Sequence, residues 1–234
     1  MKLAGLQKTT LIDFPEKIAC TVFTRGCNLR CPYCHNPELI PCDSDGHDLL
    51  AEEDFFSFLQ SRRGLLDGVC ITGGEPTIQP DLVEFAGKVR DLGFFVKLDT
   101  NGTRPQTLKA LLEERVLDFV AMDVKTTKEN YDRELGFDGD GGVIAESVGI
   151  IKESGVEYEF RTTVVPDLVG EAELFAIGEM IACGGLAGRY ALQNFRSGKV
   201  LSAEFQDRKG YPPQELEKFR RIMGSFAKIV EIRD

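Results

Sequence analysis

The feature that most narrows the fold is alternation. Six short runs rich in Val, Ile, Phe and Thr recur along the 234 residues, and amphipathic stretches fill the gaps between them. The runs are IACTVFT (18–24), GVCIT (68–72), FFVKLDT (94–100), DFVAMDV (118–124), VEYEFRTTVV (156–165) and RYALQNF (189–195). Several are too apolar for a sheet with one wet face, so they predict buried parallel strands. The stretches between them carry apolar residues at helical steps. Examples are Phe55, Phe56 and Leu59; Leu82, Phe85, Val89 and Leu92; Leu108, Leu111 and Leu112 behind Pro105. Ile144, Val148 and Ile151, then Leu174, Ile177 and Ile181, then Leu216, Phe219, Ile222, Met223 and Phe226 continue the pattern. Pro105 suits a first helical position, where its missing N–H is not needed. Strands alternating with helices imply right-handed crossovers and a parallel sheet. Six units fall short of a closed barrel of about 250 residues. The expected class is therefore α/β, either a partial (β/α)6 TIM-like barrel or an open doubly wound sheet. GLQKTTLIDFP is expected to add an edge hairpin and AKIVEIR a late strand. No repeat, low-complexity tract or linker breaks the chain, which predicts a single domain over 1–234. Residues 35–49 and 136–142 read as loops, and 197–213 is ambiguous.

Composition removes several function classes. At 42% hydrophobic and 28% charged, the chain can bury a core without disulfide staples. No apolar run reaches the ~18 residues of a membrane span, and the N-terminus lacks the apolar stretch of a signal peptide; a cytoplasmic protein without a membrane partner is expected. The net charge of −10, from 28 Lys+Arg against 38 Asp+Glu, argues against nucleic acid as a partner. His35 and His47 are the only histidines, which rules out a multi-histidine zinc site and leaves little for His-based triads. Seven cysteines, an odd number, point to metal chemistry rather than to disulfides.

Three of those cysteines are clustered. CNLRCPYC places Cys27, Cys31 and Cys34 within eight positions, directly after the first strand and the Arg25-Gly26 turn. Parallel α/β folds collect functional groups at the C-terminal ends of strands. A zinc site would need a fourth ligand, which His35 or Cys42 could provide. A [4Fe-4S] cluster usually takes four thiolates. With three, one iron stays open to an outside ligand, as in a centre that activates a substrate.

CxxxCxxC after a first strand resembles the signature of radical S-adenosylmethionine (SAM) enzymes. In that family the amino and carboxylate groups of SAM chelate the open iron. After GVCIT comes Gly73-Gly74-Glu75-Pro76, whose glycines let backbone approach a ligand closely. On its own the stretch also reads as a turn with a capping glutamate. The resemblance makes it the segment that hydrogen-bonds the cofactor's amino group. The expected fold is then a partial barrel of radical SAM type.

The next two strands end in LDTNG and MDVKT. Each alone reads as an acidic turn or a surface lysine; together they suit a zwitterionic ligand, with Lys presenting a point charge to a carboxylate. Both stretches resemble those of glycyl-radical-enzyme activases. That similarity places Asp99, Asn101, Asp123 and Lys125 at the cofactor, and allows a monovalent cation between Asp99 and Asp123. Tyr33, inside the cysteine loop, either stacks near adenine as family members do or packs the loop. His35, in the "CHN" run shared with activases, is implied to contact cluster or cofactor. Arg161 and Gln193 are either satisfied core polar groups or, by family position, contacts to ribose or carboxylate. Arg196 stands where several activases carry a histidine and is not assigned. Cys20, Cys42, Cys70 and Cys183 show no second cluster spacing.

The stretch GLQKTTLIDFPEKIACTVFTRGCNLRCPYCHNPEL, with GGEP, LDTNG and MDVKT, is most similar to the activating proteins of anaerobic ribonucleoside-triphosphate reductase. The resemblance implies a [4Fe-4S] cluster and SAM as cofactors and a glycyl radical enzyme as partner. It also implies a low-potential donor such as flavodoxin or ferredoxin. The implied reaction is reductive cleavage of SAM to a 5′-deoxyadenosyl radical, which takes a glycine α-hydrogen from the partner. Two rival readings remain at this point. One is a radical SAM enzyme acting on a small molecule, like 7-carboxy-7-deazaguanine synthase. The other is a zinc or electron-transfer module without catalysis.

Overall fold

The computed structural model describes residues 1–41 and 49–234. Cys42, His47 and the rest of 42–48 within the expected loop at 35–49 therefore lie outside the described residues. Eight strands, β1 (Leu3–Thr10), β2 (Ala19–Thr24), β3 (Gly68–Gly73), β4 (Phe95–Thr100), β5 (Phe119–Asp123), β6 (Glu157–Val164), β7 (Ala187–Asn194) and β8 (Ala227–Arg233), follow one another in chain order in one sheet. β1 runs antiparallel to β2, while β2–β3, β3–β4, β6–β7 and β7–β8 pair in parallel. The six expected strands are β2 to β7, and the N-terminal hairpin and the late strand are β1 and β8. No helix among the described residues is long and apolar enough to cross a membrane.

The chain divides into two compact units, each assembled from separate stretches of sequence. The first takes in residues 1–28, 38–100 and 106–120. It holds helices α1 (Glu52–Ser61), α2 (Leu82–Asp91) and α3 (Pro105–Glu113). α2 forms because Leu82, Phe85, Ala86 and Val89 fall on one face and are all buried. Phe85 stacks on Phe55 of α1 at 5.2 Å between ring centroids, and Phe56 closes the cluster at 5.3 Å from both. Val69 and Ile71 of β3 and Val96 and Leu98 of β4 are fully buried, as strands covered on both faces require.

The second unit takes in residues 29–37, 101–105 and 121–234. It holds α4 (Tyr131–Leu135), α5 (Gly142–Glu153), α6 (Glu171–Ile181) and α7 (Pro213–Met223). α4 was not expected. Its five residues, YDREL, are too few and too polar to show a helical period, and it stops at Gly136 in the left-handed region (φ 61°). The expected loop at 136–142 ends one residue early, because Gly142 opens α5. α7 buries Leu216, Phe219 and Met223 and turns Arg220 and Arg221 outward. Residues 197–213 contain only a 3₁₀ turn at 203–205 before Pro213 opens α7.

Candidate functional site

In the first unit the end of β3 is laced to the turn that precedes Cys27. Gly74 N–H donates to the Thr24 carbonyl (3.0 Å) and Glu75 N–H to the Gly26 carbonyl (2.8 Å). Gly26 and Cys27 N–H in turn donate to the carbonyls of Leu39 (2.7 Å) and Ile40 (3.1 Å). A Cβ on Gly73 would lie 2.2 Å from Thr24 N, and one on Gly74 would lie 2.0 Å from the Gly26 carbonyl oxygen. The paired glycines are thus needed by the chain's own backbone, since a side chain at either position would meet the strand end and turn before Cys27. Glu75 is 1% exposed, and three donors converge on its Oε1. They are Thr77 N–H (3.0 Å), the Thr77 hydroxyl, and the Thr100 hydroxyl (2.7 Å). Its carboxylate therefore caps the 3₁₀ turn at 76–78, as the simpler reading of GGEP has it.

Asp99, on β4, pairs with a lysine that was not among the expected site residues. Lys97 sits two positions earlier on the same strand, is 2% exposed, and binds the Asp99 carboxylate directly. Its ammonium lies 3.8 Å from the Cys70 sulfur. A lysine inside FFVKLDT was the available signal, because a central strand of such apolar character has no wet face to receive it.

In the second unit lies the cysteine loop from Leu29 onward, held by backbone bonds. Arg30 N–H donates to the Leu135 carbonyl (2.6 Å), and Cys34 N–H to the Cys31 carbonyl (3.0 Å). The segment after β7 then crosses it: Leu201 N–H donates to the Cys34 carbonyl (3.0 Å) and Ser202 N–H to the Pro32 carbonyl (2.8 Å). His35 is exposed and stacks on Phe195 at 5.9 Å. Cys31 is buried, and burial pushes its thiol up to about 11, while Lys125 pulls it down. Tyr33 is buried too, with a hydroxyl that has no hydrogen-bond partner among the described residues, and burial holds its pKa above the ordinary value.

Beside this loop stands a charged group built on strand ends. Asp123, at the end of β5, accepts from Arg161 Nε of β6 at 2.8 Å and from Lys125 Nζ at 3.1 Å. Burial alone would raise the Asp123 carboxyl, but the two cations hold it well below the usual carboxylate range. Burial likewise works against the Lys125 ammonium, but Asp123 first, with Cys31 and Tyr33, holds its pKa above the ordinary lysine value. Cys31, Lys125 and Asp123 all act on one another electrostatically. Arg161 also lies 3.9 Å from Glu159, a carboxylate gripped by Arg233 of β8, and neither of those two residues was expected.

The other expected residues divide between turn and strand roles. Asn101 is 4% exposed, and its Oδ1 accepts from Thr103 N–H (3.0 Å) and the Thr103 hydroxyl (2.6 Å), so its side chain shapes the turn after β4. Gln193 is half-buried and meets the Thr163 hydroxyl at 3.5 Å. Arg196 binds the carbonyl of Asp234. The resemblance allowed a monovalent cation shared by Asp99, Asp123 and the cofactor's carboxylate; Asp99 is paired with Lys97, and Asp123 with Lys125 and Arg161. Among the described residues no three His, Cys, Asp or Glu side chains are grouped to hold a single metal ion. A cube asks for less convergence, because it spreads three thiolates over three irons.

Comparison with known proteins follows the same lines. The family described as the Radical SAM superfamily matches residues 21–174. A Methanocaldococcus jannaschii protein described as a "putative glycyl-radical enzyme activating enzyme" is 31% identical over 236 residues, covering 99% of this chain and 95% of that protein. The pyruvate formate-lyase-activating enzyme of Clostridium pasteurianum is 28% identical over 178 residues, covering 74% of this chain and 72% of the enzyme. The crystal structure of Streptococcus suis SuiB bound to S-adenosylmethionine shares the fold, with a TM-score of 0.66 at 15% identity. That match covers 89% of this chain but only 48% of SuiB, so the chain spans about half its length. The expected α/β class with a mostly parallel sheet stands.

Proposed function

We propose that this chain, which belongs to the radical SAM superfamily, is an activase that installs a glycyl radical on a partner enzyme. One observation carries the cofactor side of this reading: within one compact unit a buried thiol, Cys31, stands in the field of the Lys125 ammonium and the Asp123 carboxylate. A soft metal ligand beside a fixed cation and anion is what a metal-chelated zwitterion such as SAM requires.

The residues present fit the two cofactors. The donor set is three thiols at cluster spacing, and Tyr33 offers a buried hydroxyl, without a partner among the described residues, that a bound group would satisfy. In this reading Cys27, Cys31 and Cys34 hold a [4Fe-4S] cluster. Tyr33, His35, Gly73, Gly74, Glu75, Asp99, Asn101, Asp123, Lys125, Arg161 and Gln193 serve the SAM site. When bound, cluster and SAM together supply one-electron cleavage of a sulfonium and abstraction of a hydrogen atom. The chain's own contribution is placement. Lys125 and Arg161 present cations to a carboxylate, and Asp123 fixes both. No side chain is needed as a general acid or base.

The activase activity is supported by similarity along nearly the whole chain to a protein of that description. For the partner we propose anaerobic ribonucleoside-triphosphate reductase, on the N-terminal stretch through LIDFPEKIA, and for the donor a flavodoxin or ferredoxin. The family match draws on both compact units, which supports one radical SAM domain over 1–234.

The test is anaerobic reconstitution with iron and zinc analysis, reduction in the presence of SAM, and spin resonance after mixing with the reductase. We expect iron, 5′-deoxyadenosine and a glycine-centred signal. Saturated zinc, or intact SAM after reduction, overturns the cofactor reading. Deoxyadenosine without a radical on the reductase overturns the partner.

A further inference from the structure

We propose that Glu159 and Arg233 are positioning residues for the cofactor site and act through Arg161. The inference rests on the reading above, which sets Arg161 and Asp123 at the cofactor.

The geometry is a line of alternating charge. Lys125 Nζ meets Asp123 Oδ2 at 3.1 Å, and Asp123 Oδ1 takes Arg161 Nε at 2.8 Å. Arg161 Nη1 lies 3.9 Å from Glu159 Oε1. Glu159 is then held by both arms of the Arg233 guanidinium, Nη1 to Oε1 at 3.0 Å and Nη2 to Oε2 at 2.7 Å. Arg233 Nη2 also meets Glu231 at 3.0 Å.

Strand register explains how Arg233 arrives there. β6, β7 and β8 pair so that Thr163, Gln193 and Arg233 share one row, and Arg161, Ala191 and Glu231 the next. Arg233 reaches back past the row in which β7 contributes only the methyl of Ala191, and grips Glu159 beyond it.

Glu159 is 3% exposed. A buried carboxylate is costly without a partner, and a two-point arginine fork is its most complete satisfaction. The consequence for Arg161 follows from the distances. With Arg233 in place, Glu159 is neutralised and Arg161 can give its Nε to Asp123 while Glu159 steadies Nη1 from 3.9 Å. Two fixed points set the plane of the fork. Without Arg233, Glu159 draws Arg161 into a direct pair and turns it from Asp123, changing the cation offered to the ligand. Neutralising Glu159 as well removes that pull.

The experiment uses full-length protein reconstituted anaerobically and measures SAM affinity and iron per chain. In cofactor-free protein it also follows the Arg161 Nε–H resonance by NMR. Arg233→Gln is expected to weaken SAM binding about tenfold, as coupling through the buried Glu159 implies, with iron content unchanged. Arg233→Lys should recover part of the loss. Glu159→Gln combined with Arg233→Gln should return affinity to within about threefold of the original and restore the resonance. A purely structural role would leave the double variant no better than the single. Unchanged affinity in Arg233→Gln, or no recovery in the double variant, overturns the proposal. Unaltered protein that takes up iron but binds no SAM overturns the underlying reading instead. The Arg161 resonance then decides the relay alone: displaced by Arg233→Gln and restored in the double variant, it upholds the relay, and unmoved, it overturns it.

Discussion

Replacing Ser202 by proline tests whether the segment after β7 holds the cysteine loop in place. Ser202 N–H donates to the Pro32 carbonyl at 2.8 Å, in the middle of CNLRCPYC, and proline removes that donor. The Ser202 φ of −95° is about 30° from the proline value, so the ring adds little strain to the lost bond. Pro32 is half-buried, so water can reach its abandoned carbonyl. The cost should then be near the net value of one hydrogen bond, about 1 kcal/mol, rather than that of a stranded polar group. Spent on local opening, about 1 kcal/mol multiplies the open population roughly fivefold. The reporter is the Cys34 amide, whose N–H donates to the Cys31 carbonyl inside the same loop. Hydrogen exchange of that amide should accelerate about fivefold in Ser202→Pro. Ser202→Ala is the control, since it keeps the N–H and the hydroxyl makes no cap bond. If Cys34 exchanges at the same rate in the proline variant, or just as fast in the alanine control, the segment does not hold the loop.

Three further outcomes follow from the same distances. Lys97→Met should destabilise the fold by about 3 kcal/mol by leaving Asp99 without its buried cation, and adding Asp99→Asn should recover most of that in urea titrations. Gly74→Ala drives a methyl to 2.0 Å from the Gly26 carbonyl oxygen, and thermal unfolding should register a loss of about 2–3 kcal/mol. Asp123 is held below its unfolded pKa, so its stabilisation is present above about pH 4 and is lost as pH falls towards the folded-state value. Urea midpoints of Asp123→Asn and the unaltered chain should therefore differ at pH 7 and draw together on acidification. A gap that widens instead would contradict the charge pairing.

What the sequence made legible, and what it hid, divide along a physical line. β2 to β7 could be read because strands covered on both faces must be apolar along their length, and helices such as α2 because burial leaves a period in the chain. The cysteine triplet was visible for the same reason of locality: its three cysteines lie within eight positions. α4 left no such trace, because its place is set by Tyr131, whose hydroxyl accepts from Lys125 N–H at 3.0 Å, and by its contact with the cysteine loop at Arg30. The glycines of GGEP were legible as a close approach but not in what they approach, since Thr24 and Gly26 stand some fifty positions earlier. Glu159 and Arg233 are 74 positions apart, and in a strand such as VEYEFRTTVV alternation assigns a glutamate to solvent by default. Only the pairing of β6, β7 and β8 reveals that this face is buried and that its charges must answer one another. The groups proposed to touch a ligand can thus be written in short motifs. The groups that aim them are supplied by neighbouring strands, and their partners become visible only when the sheet is assembled.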